Sequence, residues 1–403
     1  MKYIIVLGDG MAGRALGELG GRTTLEAADT PTMDTLARVS ELGMASMVPE
    51  GMAPGSDTAN LAVLGYDPKV YYTGRSPLEA LSIGVEMAET DVSFRCNLVT
   101  LSEDEENYED RILLDHSSDE IATEDAAVLL DALKEGLERE GYHFYAGTSY
   151  RHLLIWNQGK VMELTPPHDI LTRRIGTYLP EDPVLREMME KSYEILKTHP
   201  LNEKRRKQGL KPANSAWFWG AGKRPSLTSF QERTGKKGIM ISAVDLLKGI
   251  AVGAGMDTMK VEGANGGLHT NYEGKAKAAV RALTEDGYDF AYIHVEAPDE
   301  MGHQGKIGEK IQAIEMIDEK ILKVLTEDLN RAGEPFRLLV LPDHPTPIEV
   351  RTHTADPVPY LLYDSTEKKP GEKVYNEKTA AGTGREWKEG FRLIGHLLQE
   401  ELC

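Results

Sequence analysis

The chain has 403 residues, of which 40% are hydrophobic and 28% charged, and its formal net charge is −19. This length exceeds the roughly 250–300 residues that one hydrophobic core usually serves, so we expect a large core with an inserted or second domain. The surplus of acidic residues disfavours nucleic acid and anionic membranes as partners, because both require clustered Lys and Arg.

Targeting and redox signals are weak in this sequence. No apolar run approaches the ~20 residues that span a bilayer, and the N-terminal run is too short and too abruptly followed by Asp-Gly to be a signal sequence. A cytoplasmic location is therefore expected. Cys96 and Cys403 show no spacing typical of disulfides or metal sites, so we predict no redox role for either thiol.

Short apolar runs, typical of buried strands, alternate with amphipathic stretches along much of the chain. The first run ends at Asp9, and Thr30 then begins a predicted helix with Pro31 in its first turn and Gly43 at its end. The strand candidates are 3–8, 239–243, 290–295, 336–341 and 358–363. This alternation predicts an α/β fold, with a mainly parallel sheet covered by helices on both faces.

The middle of the chain has a different character. Residues 107–171 are acidic and then strand-like, and they lack the clusters of metal-ligating residues found towards both ends. We interpret 107–171 as an inserted α+β cap or substrate domain, and 1–106 with 172–403 as the catalytic core.

Acidic and imidazole side chains recur where the strand candidates end. They are Asp9 after the first run, Asp299 and His303 after 290–295, Asp343 and His344 after 336–341, and His353 in the next loop. Because α/β sheets carry their sites at the carboxyl ends of strands, we expect these side chains to share one site. Mixed carboxylate and imidazole ligands suit Mn²⁺ or Zn²⁺, and a pair of such ions would stabilise an in-line phosphoryl displacement.

Ser56 is the candidate nucleophile. It follows Pro-Gly in a tight turn and precedes a helix-compatible segment, so its hydroxyl could meet a metal ion that favours the alkoxide. Taken singly, Ser56 could be an N-cap, Asp9 a turn residue and His344 a loop histidine. A shared site explains all of them jointly, and we prefer it.

Anion-binding candidates carry a weaker signal than the metal-ligand candidates. Arg75, Arg151 and Lys223 are predicted by position to bind substrate: Arg151 lies in the strand-like part of the insertion, and Lys223 follows a Gly-rich turn. His294 is interpreted as a core histidine, and the aromatic cluster 217–219 as packing.

Several motifs, in their order and spacing, resemble those of the alkaline phosphatase superfamily and, within it, of the archaeal-type cofactor-independent phosphoglycerate mutases. They are GDGM, PGSDTANLAVLGYDP, GRSPLEALSIG, APDEMGHQG, PDH and THTADPVP. The resemblance covers nearly the whole chain. It implies an alkaline-phosphatase-like three-layer sandwich with a mainly parallel sheet, plus a smaller inserted α+β cap.

The resemblance also implies a two-metal site. The implied ligands are Asp299, His303 and His353 for the first ion, and Asp9, Ser56, Asp343 and His344 for the second. Ser56 would take the phosphoryl group from 3-phosphoglycerate and return it to the 2-hydroxyl of glycerate, a step of glycolysis and gluconeogenesis that then needs no bisphosphoglycerate. Mn²⁺ is the expected ion, with Zn²⁺, Co²⁺ and Mg²⁺ as alternatives. The expected partner is a small phosphorylated metabolite, and the oligomeric state is left open.

Other functions remain open from the sequence. A sister group of mutase-like proteins, proposed to act as homoserine kinases, is similar around APDEMGHQG, and the metal and serine residues would serve both activities. Water admitted to a phosphoserine intermediate would give a metal-dependent phosphatase. A catalytically silent metal-binding protein is disfavoured, because neither Ser56 nor any implied ligand is missing.

Overall fold

The computed structural model describes Met1–Glu400, so Cys403 lies outside the described residues. The chain forms two compact units: unit 1 comprises Met1–Tyr72 and the chain from Ser226 onward, and unit 2 comprises Thr73–Pro225. The described residues contain no helix that is long and apolar enough to cross a membrane.

The strands, in chain order, are β1 (Lys2–Gly8), β2 (Glu41–Ala45), β3 (Val92–Leu101), β4 (Leu113–Asp115), β5 (Tyr142–Tyr145), β6 (Arg151–Trp156), β7 (Ser215–Lys223), β8 (Gly238–Ile241), β9 (Asp257–Thr258), β10 (Phe290–Val295), β11 (Phe336–Leu341), β12 (Val358–Asp364) and β13 (Glu386–Trp387).

The α-helices are α1 (Thr24–Ala27), α2 (Pro31–Ala37), α3 (Ser56–Val63), α4 (Pro68–Tyr71), α5 (Arg75–Ser82), α6 (Thr123–Leu137), α7 (Pro183–Leu196), α8 (Pro200–Lys207), α9 (Phe230–Thr234), α10 (Asp245–Gly253), α11 (Tyr272–Thr284), α12 (Ala297–His303), α13 (Ile307–Ile317), α14 (Lys323–Ala332), α15 (Glu377–Gly382) and α16 (Leu393–Leu398). A π-helical turn, Asp318–Leu322, joins α13 to α14.

Unit 1 is built on a mixed, mainly parallel sheet with strand order β13-β2-β12-β11-β1-β10-β8-β9. Strand β1 lies in the centre and pairs in parallel with β10 and β11, whereas β12 runs antiparallel to both of its neighbours. Every residue of β10 and β11 is buried, so both faces of the sheet are covered. The predicted α/β class and the predicted central strands are confirmed.

The predicted helix from Thr30 to Gly43 is wrong in its second half. Helix α2 ends at Ala37, and Gly43 belongs to strand β2, where it pairs with Tyr360. A Cβ at Gly43 would come within 2.7 Å of the Tyr360 ring, so glycine here makes room for that side chain rather than ending a helix. The Thr30 side chain does not cap α2; the buried Asp318 accepts hydrogen bonds from the first backbone amides of the helix instead.

Unit 2 carries its own sheet, in the order β4-β3-β6-β5, with β7 paired to the other edge of β3. Helices α6 and α7 contribute apolar side chains to the core of this unit. Unit 2 includes more of the chain than the predicted insertion 107–171. Strands β3 and β7 flank that segment in sequence, yet they pair with each other inside the same sheet. Alternating apolar residues in these two strands could not reveal to which sheet they belong.

Candidate functional site

The carboxyl ends of three neighbouring parallel strands bring the predicted site residues together. Asp9 directly follows β1, and its backbone amide donates to the carbonyl of Val295 at the end of β10, 2.9 Å away. The next amide, that of Gly10, donates to Oδ1 of Asp343 beyond the end of β11 (3.2 Å). Strand order therefore converts three segments that are distant in sequence into one edge of the sheet.

One acid–imidazole group consists of Asp9, Asp343 and His344, all of them buried. Nε2 of His344 lies 3.6 Å from Oδ1 of Asp9 and 3.4 Å from Oδ2 of Asp343. Oδ1 of Asp9 is buried and has no hydrogen-bond partner among the described residues. A buried carboxylate oxygen without a donor is costly, and a cation would satisfy it.

A second group contains Asp299, His344 and His353, and His303 lies against it. Oδ1 of Asp299 is 3.4 Å from Nε2 of His353, and its Oδ2 is 3.1 Å from Nε2 of His303. The two histidines are themselves 3.0 Å apart between their Nε2 atoms. His344 belongs to both groups, which therefore adjoin each other.

Ser56 reaches this site from the first turn of α3. Its Oγ lies 3.2 Å from Nε2 of His344. Asn60, one turn further along the helix, donates from Nδ2 to the Ser56 carbonyl (2.8 Å) and to Oδ2 of Asp343 (2.9 Å). The Asn60 amide thus holds the serine turn against the first group.

The electrostatics of the site favour bound cations. Burial and the neighbouring carboxylates of Asp343 and Asp299 raise the pKa of Asp9 well above its ordinary value. Burial opposes the ionisation of Asp299, but hydrogen bonds from His303 and His353 outweigh it and hold its pKa well below the usual range. The bond to Asp299 raises the pKa of His303 to about 9. Closely spaced carboxylates, imidazoles and one hydroxyl fit divalent ions that accept mixed oxygen and nitrogen ligands.

The structure adds a role for His294 beyond filling the core. Nε2 of this fully buried residue lies 2.9 Å from Oδ2 of Asp9, and its Nδ1 lies 3.1 Å from Oγ of Ser242. The Ser242 Oγ also accepts a bond from the Val244 amide, so its proton is available for Nδ1, and Nε2–H donates to Asp9. The signal in the sequence was a polar residue inside an otherwise apolar strand that ends at the site.

Thr346 bonds a member of the second group, and Lys310 in turn bonds Thr346. The Thr346 hydroxyl donates to Oδ1 of Asp299. The Lys310 ammonium is fully buried and donates to the carbonyls of Thr346 (2.7 Å) and Ala12 (3.2 Å), which links the loops after β11 and β1. Sequence analysis missed both residues, since a lysine and a threonine in amphipathic or loop segments carry no distinguishing pattern.

The three residues predicted to bind substrate all belong to unit 2. Arg75 bonds Glu79 through Nε (3.1 Å), and the Arg151 guanidinium lies 5.3 Å from the centre of the Tyr150 ring. Lys223 is the exposed last residue of β7. Their role in binding stays a prediction.

Comparisons of the sequence with a protein family and with individual relatives point to the same family. Residues 37–202 match the family described as 2,3-bisphosphoglycerate-independent phosphoglycerate mutase. A relative of that name from Methanosarcina mazei is 46% identical over 406 residues, covering 99% of this chain and 100% of its own.

Two solved structures extend the likeness to the fold. A protein from Pyrococcus horikoshii aligns with a TM-score of 0.81 at 30% identity, covering 99% of this chain and 97% of its own. A cofactor-independent phosphoglycerate mutase from Thermoplasma acidophilum aligns with a TM-score of 0.63 at 26% identity, covering 99% of each chain.

Proposed function

The chain belongs to the 2,3-bisphosphoglycerate-independent phosphoglycerate mutase family, and we propose that it interconverts 3-phosphoglycerate and 2-phosphoglycerate. The observation that carries the proposal is the convergence of Ser56 with both acid–imidazole groups, in a chain that matches mutases over its whole length. The cytoplasmic location predicted from the sequence is part of this proposal.

We assign two divalent ions, Mn²⁺ first among them, to the site. The proposed ligands are Asp299, His303 and His353 for one ion, and Asp9, Ser56, Asp343 and His344 for the other. When bound, such ions lower the pKa of the serine hydroxyl and neutralise charge on the transferring phosphoryl group.

The proposed reaction passes the phosphoryl group through Ser56. The Ser56 hydroxyl loses its proton as Oγ attacks phosphorus, the bond from phosphorus to the 3-oxygen breaks, and that oxygen takes up a proton, which gives glycerate. The 2-hydroxyl of the same glycerate then loses its proton and attacks the phosphorus of phosphoserine, the bond from phosphorus to Oγ breaks, and Oγ of Ser56 takes up a proton. Because Ser56 takes the phosphoryl group from the substrate itself and returns it to the same glycerate, no bisphosphoglycerate is required as a donor.

Within this proposal unit 2 supplies substrate recognition. Arg75, Arg151 and Lys223 are proposed to bind the carboxylate and phosphate of the substrate, for which guanidinium and ammonium groups are suited. Substituting each of them by Gln should raise KM more than it lowers kcat. An unchanged KM would remove that residue from the proposal.

The test of function is an assay of the Mn²⁺-reconstituted protein without bisphosphoglycerate. We expect 2-phosphoglycerate to form from 3-phosphoglycerate, with no phosphorylation of homoserine by ATP and little release of phosphate. Formation of phosphohomoserine alone would replace the mutase by the kinase, and release of phosphate alone would indicate a phosphatase.

Two variants test the site. Ser56→Ala should abolish transfer and leave metal binding largely intact, because the other proposed ligands remain, whereas the exposed Ser226→Ala should retain both. Asp343→Ala should lose metal together with activity. Turnover of wild-type size in Ser56→Ala would overturn the covalent route, and full metal content in Asp343→Ala would remove this ligand.

A further inference from the structure

Unit 1 contains a cavity of about 1000 Å³ that none of the proposed metal ligands lines, and neither does Ser56. It lies between the segment that follows α3, the beginning of β11 and the C-terminal helix α16. Its volume is at the upper end of the ~300–1,000 Å³ typical of small-molecule sites. The proposed mutase reaction does not use it.

Two of the cations in the cavity wall form no close ion pair. Arg337 and Arg392 line the cavity but pair with acidic residues at 3.2 Å and 2.7 Å. Among the described residues, Arg233 and Lys369 have no carboxylate oxygen within 4.0 Å. In a chain with a net charge of −19, two such cations in one cavity favour an anionic ligand.

The acidic residues of the wall are already engaged. The Asp67 side chain caps α4 by accepting from the Lys69 amide (2.9 Å), and Glu400 pairs with Lys236 at 2.8 Å. Neither carboxylate therefore depends on Arg233 or Lys369 for a partner. The Lys369 ammonium remains available to a ligand, whereas the Arg233 guanidinium lies over the Tyr66 ring and bonds the Gly65 carbonyl, so it contributes mainly its charge.

Aromatic rings supply the rest of the recognition surface. Trp387, Phe391 and Tyr71 line the same cavity as the two cations. Aromatic side chains bind flat rings by stacking, while guanidinium and ammonium groups bind phosphate oxygens. We propose that this cavity binds a ligand that combines a flat ring with a phosphate, which is the chemistry of a nucleoside monophosphate.

Helix α3 connects the cavity with Ser56. Nη2 of Arg233 donates to the carbonyl of Gly65 (2.6 Å), just beyond the last residue of α3, and Ser56 is the first residue of that eight-residue helix. A Cβ at Gly65 would come within 2.5 Å of Ile394, so the junction is tightly packed. A ligand beside Arg233 would thus contact a side chain that is hydrogen-bonded to the end of α3, the helix that begins with Ser56.

The test is titration calorimetry of the metal-free full-length chain with AMP. Metal-free protein is used so that phosphate does not bind through ions at the catalytic centre, and adenosine and ribose 5-phosphate are titrated as halves of the ligand. AMP should bind at least about tenfold more tightly than either half. Equal affinity for ribose 5-phosphate would overturn the role of the rings, and no AMP binding at millimolar concentration would overturn the site.

Matched variants place the binding in this cavity. Lys369→Gln should weaken AMP binding about tenfold, whereas Lys368→Gln, at an exposed neighbour outside the lining, should leave it unchanged. The Lys369 ammonium makes no hydrogen bond within the described part of the chain, so its variant should fold. Equal affinity of both variants and the wild type would overturn the assignment.

A spectroscopic readout is independent of the mutase proposal. The other tryptophans, Trp156, Trp217 and Trp219, belong to unit 2, so a change of fluorescence that Trp387→Phe abolishes reports on this cavity. AMP should change that signal in the wild type and equally in Ser56→Ala. Binding that leaves the Trp387 signal unchanged would place AMP elsewhere.

Discussion

Substitution of His294 tests whether the histidine beneath Asp9 orients a metal ligand. An asparagine at position 294 carries an amide near the former Nδ1 and leaves Oδ2 of Asp9 without its donor. A glutamine reaches to the former Nε2 and can keep the 2.9 Å hydrogen bond. The two amides thus differ mainly in where they present a donor.

The expected magnitude follows from the burial of this bond. Its donor side chain is fully buried and the Asp9 side chain is 3% exposed, so water cannot replace the lost donor. A hydrogen bond to a charged group contributes about 1.5–3 kcal/mol, and loss of a partner behind a metal ligand costs about 10–100-fold in affinity. We expect His294→Asn to weaken Mn²⁺ binding by that factor and His294→Gln to recover most of it.

The assay is Mn²⁺ binding in competition with a chelator, without substrate, so that it does not depend on turnover. Circular dichroism and urea unfolding of each metal-free variant check that it is folded. Two results would refute the reasoning: wild-type affinity in His294→Asn, or a folded His294→Gln that binds as weakly as His294→Asn.

Three further predictions address the surroundings of the site. Asn60→Ala loses three hydrogen bonds, two of them fully buried, and should lower the free energy of unfolding by about 3–5 kcal/mol in urea. Ala at the exposed Asn330 should change that free energy by less than about 0.5 kcal/mol, and equal effects of the two substitutions would contradict the prediction. Gly10 has φ +60° and a Cβ there would lie 2.6 Å from Oδ1 of Asp299, so Gly10→Ala should weaken Mn²⁺ binding at least about tenfold, and unchanged affinity would refute the crowding. Burial lowers the pKa of Lys310 from its ordinary 10.5 to about 8. Between these pH values the unfolded chain binds more protons than the folded one, so the free energy of unfolding should rise with pH by about 3 kcal/mol. Urea unfolding at pH 8 and pH 10 should show this rise in the wild type but not in Lys310→Met, and the same rise in both proteins would exclude Lys310 as its source.

Much of the sheet could be read from local patterns. The runs at 290–295 and 336–341 match β10 and β11 residue for residue, because strands buried on both faces must be apolar throughout. Gly43 shows the limit of this reasoning. A glycine after an amphipathic stretch reads as a helix end, and only the pairing of β2 with β12 shows that it accommodates a tyrosine ring.

The boundaries of unit 2 show the same limit at larger scale. Composition marked 107–171 as different, yet the central strand β3 and its edge neighbour β7 lie outside that segment and belong to the same sheet. Pairing between strands that are more than a hundred residues apart depends on the sheet as a whole. Local composition therefore cannot predict that β3 pairs with β7.

For the candidate site, residue types and their places at strand ends and in one tight turn were enough to predict that these acidic and imidazole side chains and Ser56 share a site, because metal and phosphoryl chemistry needs those side chains at the mouth of a parallel sheet. Their partners were decided by tertiary structure. His294 bonds Asp9 across 285 positions of sequence, and Asn60 bonds Asp343 across 283. Such partners depend on which strands are neighbours, and a histidine or asparagine looks the same in a sequence whether it only fills a core or positions a ligand.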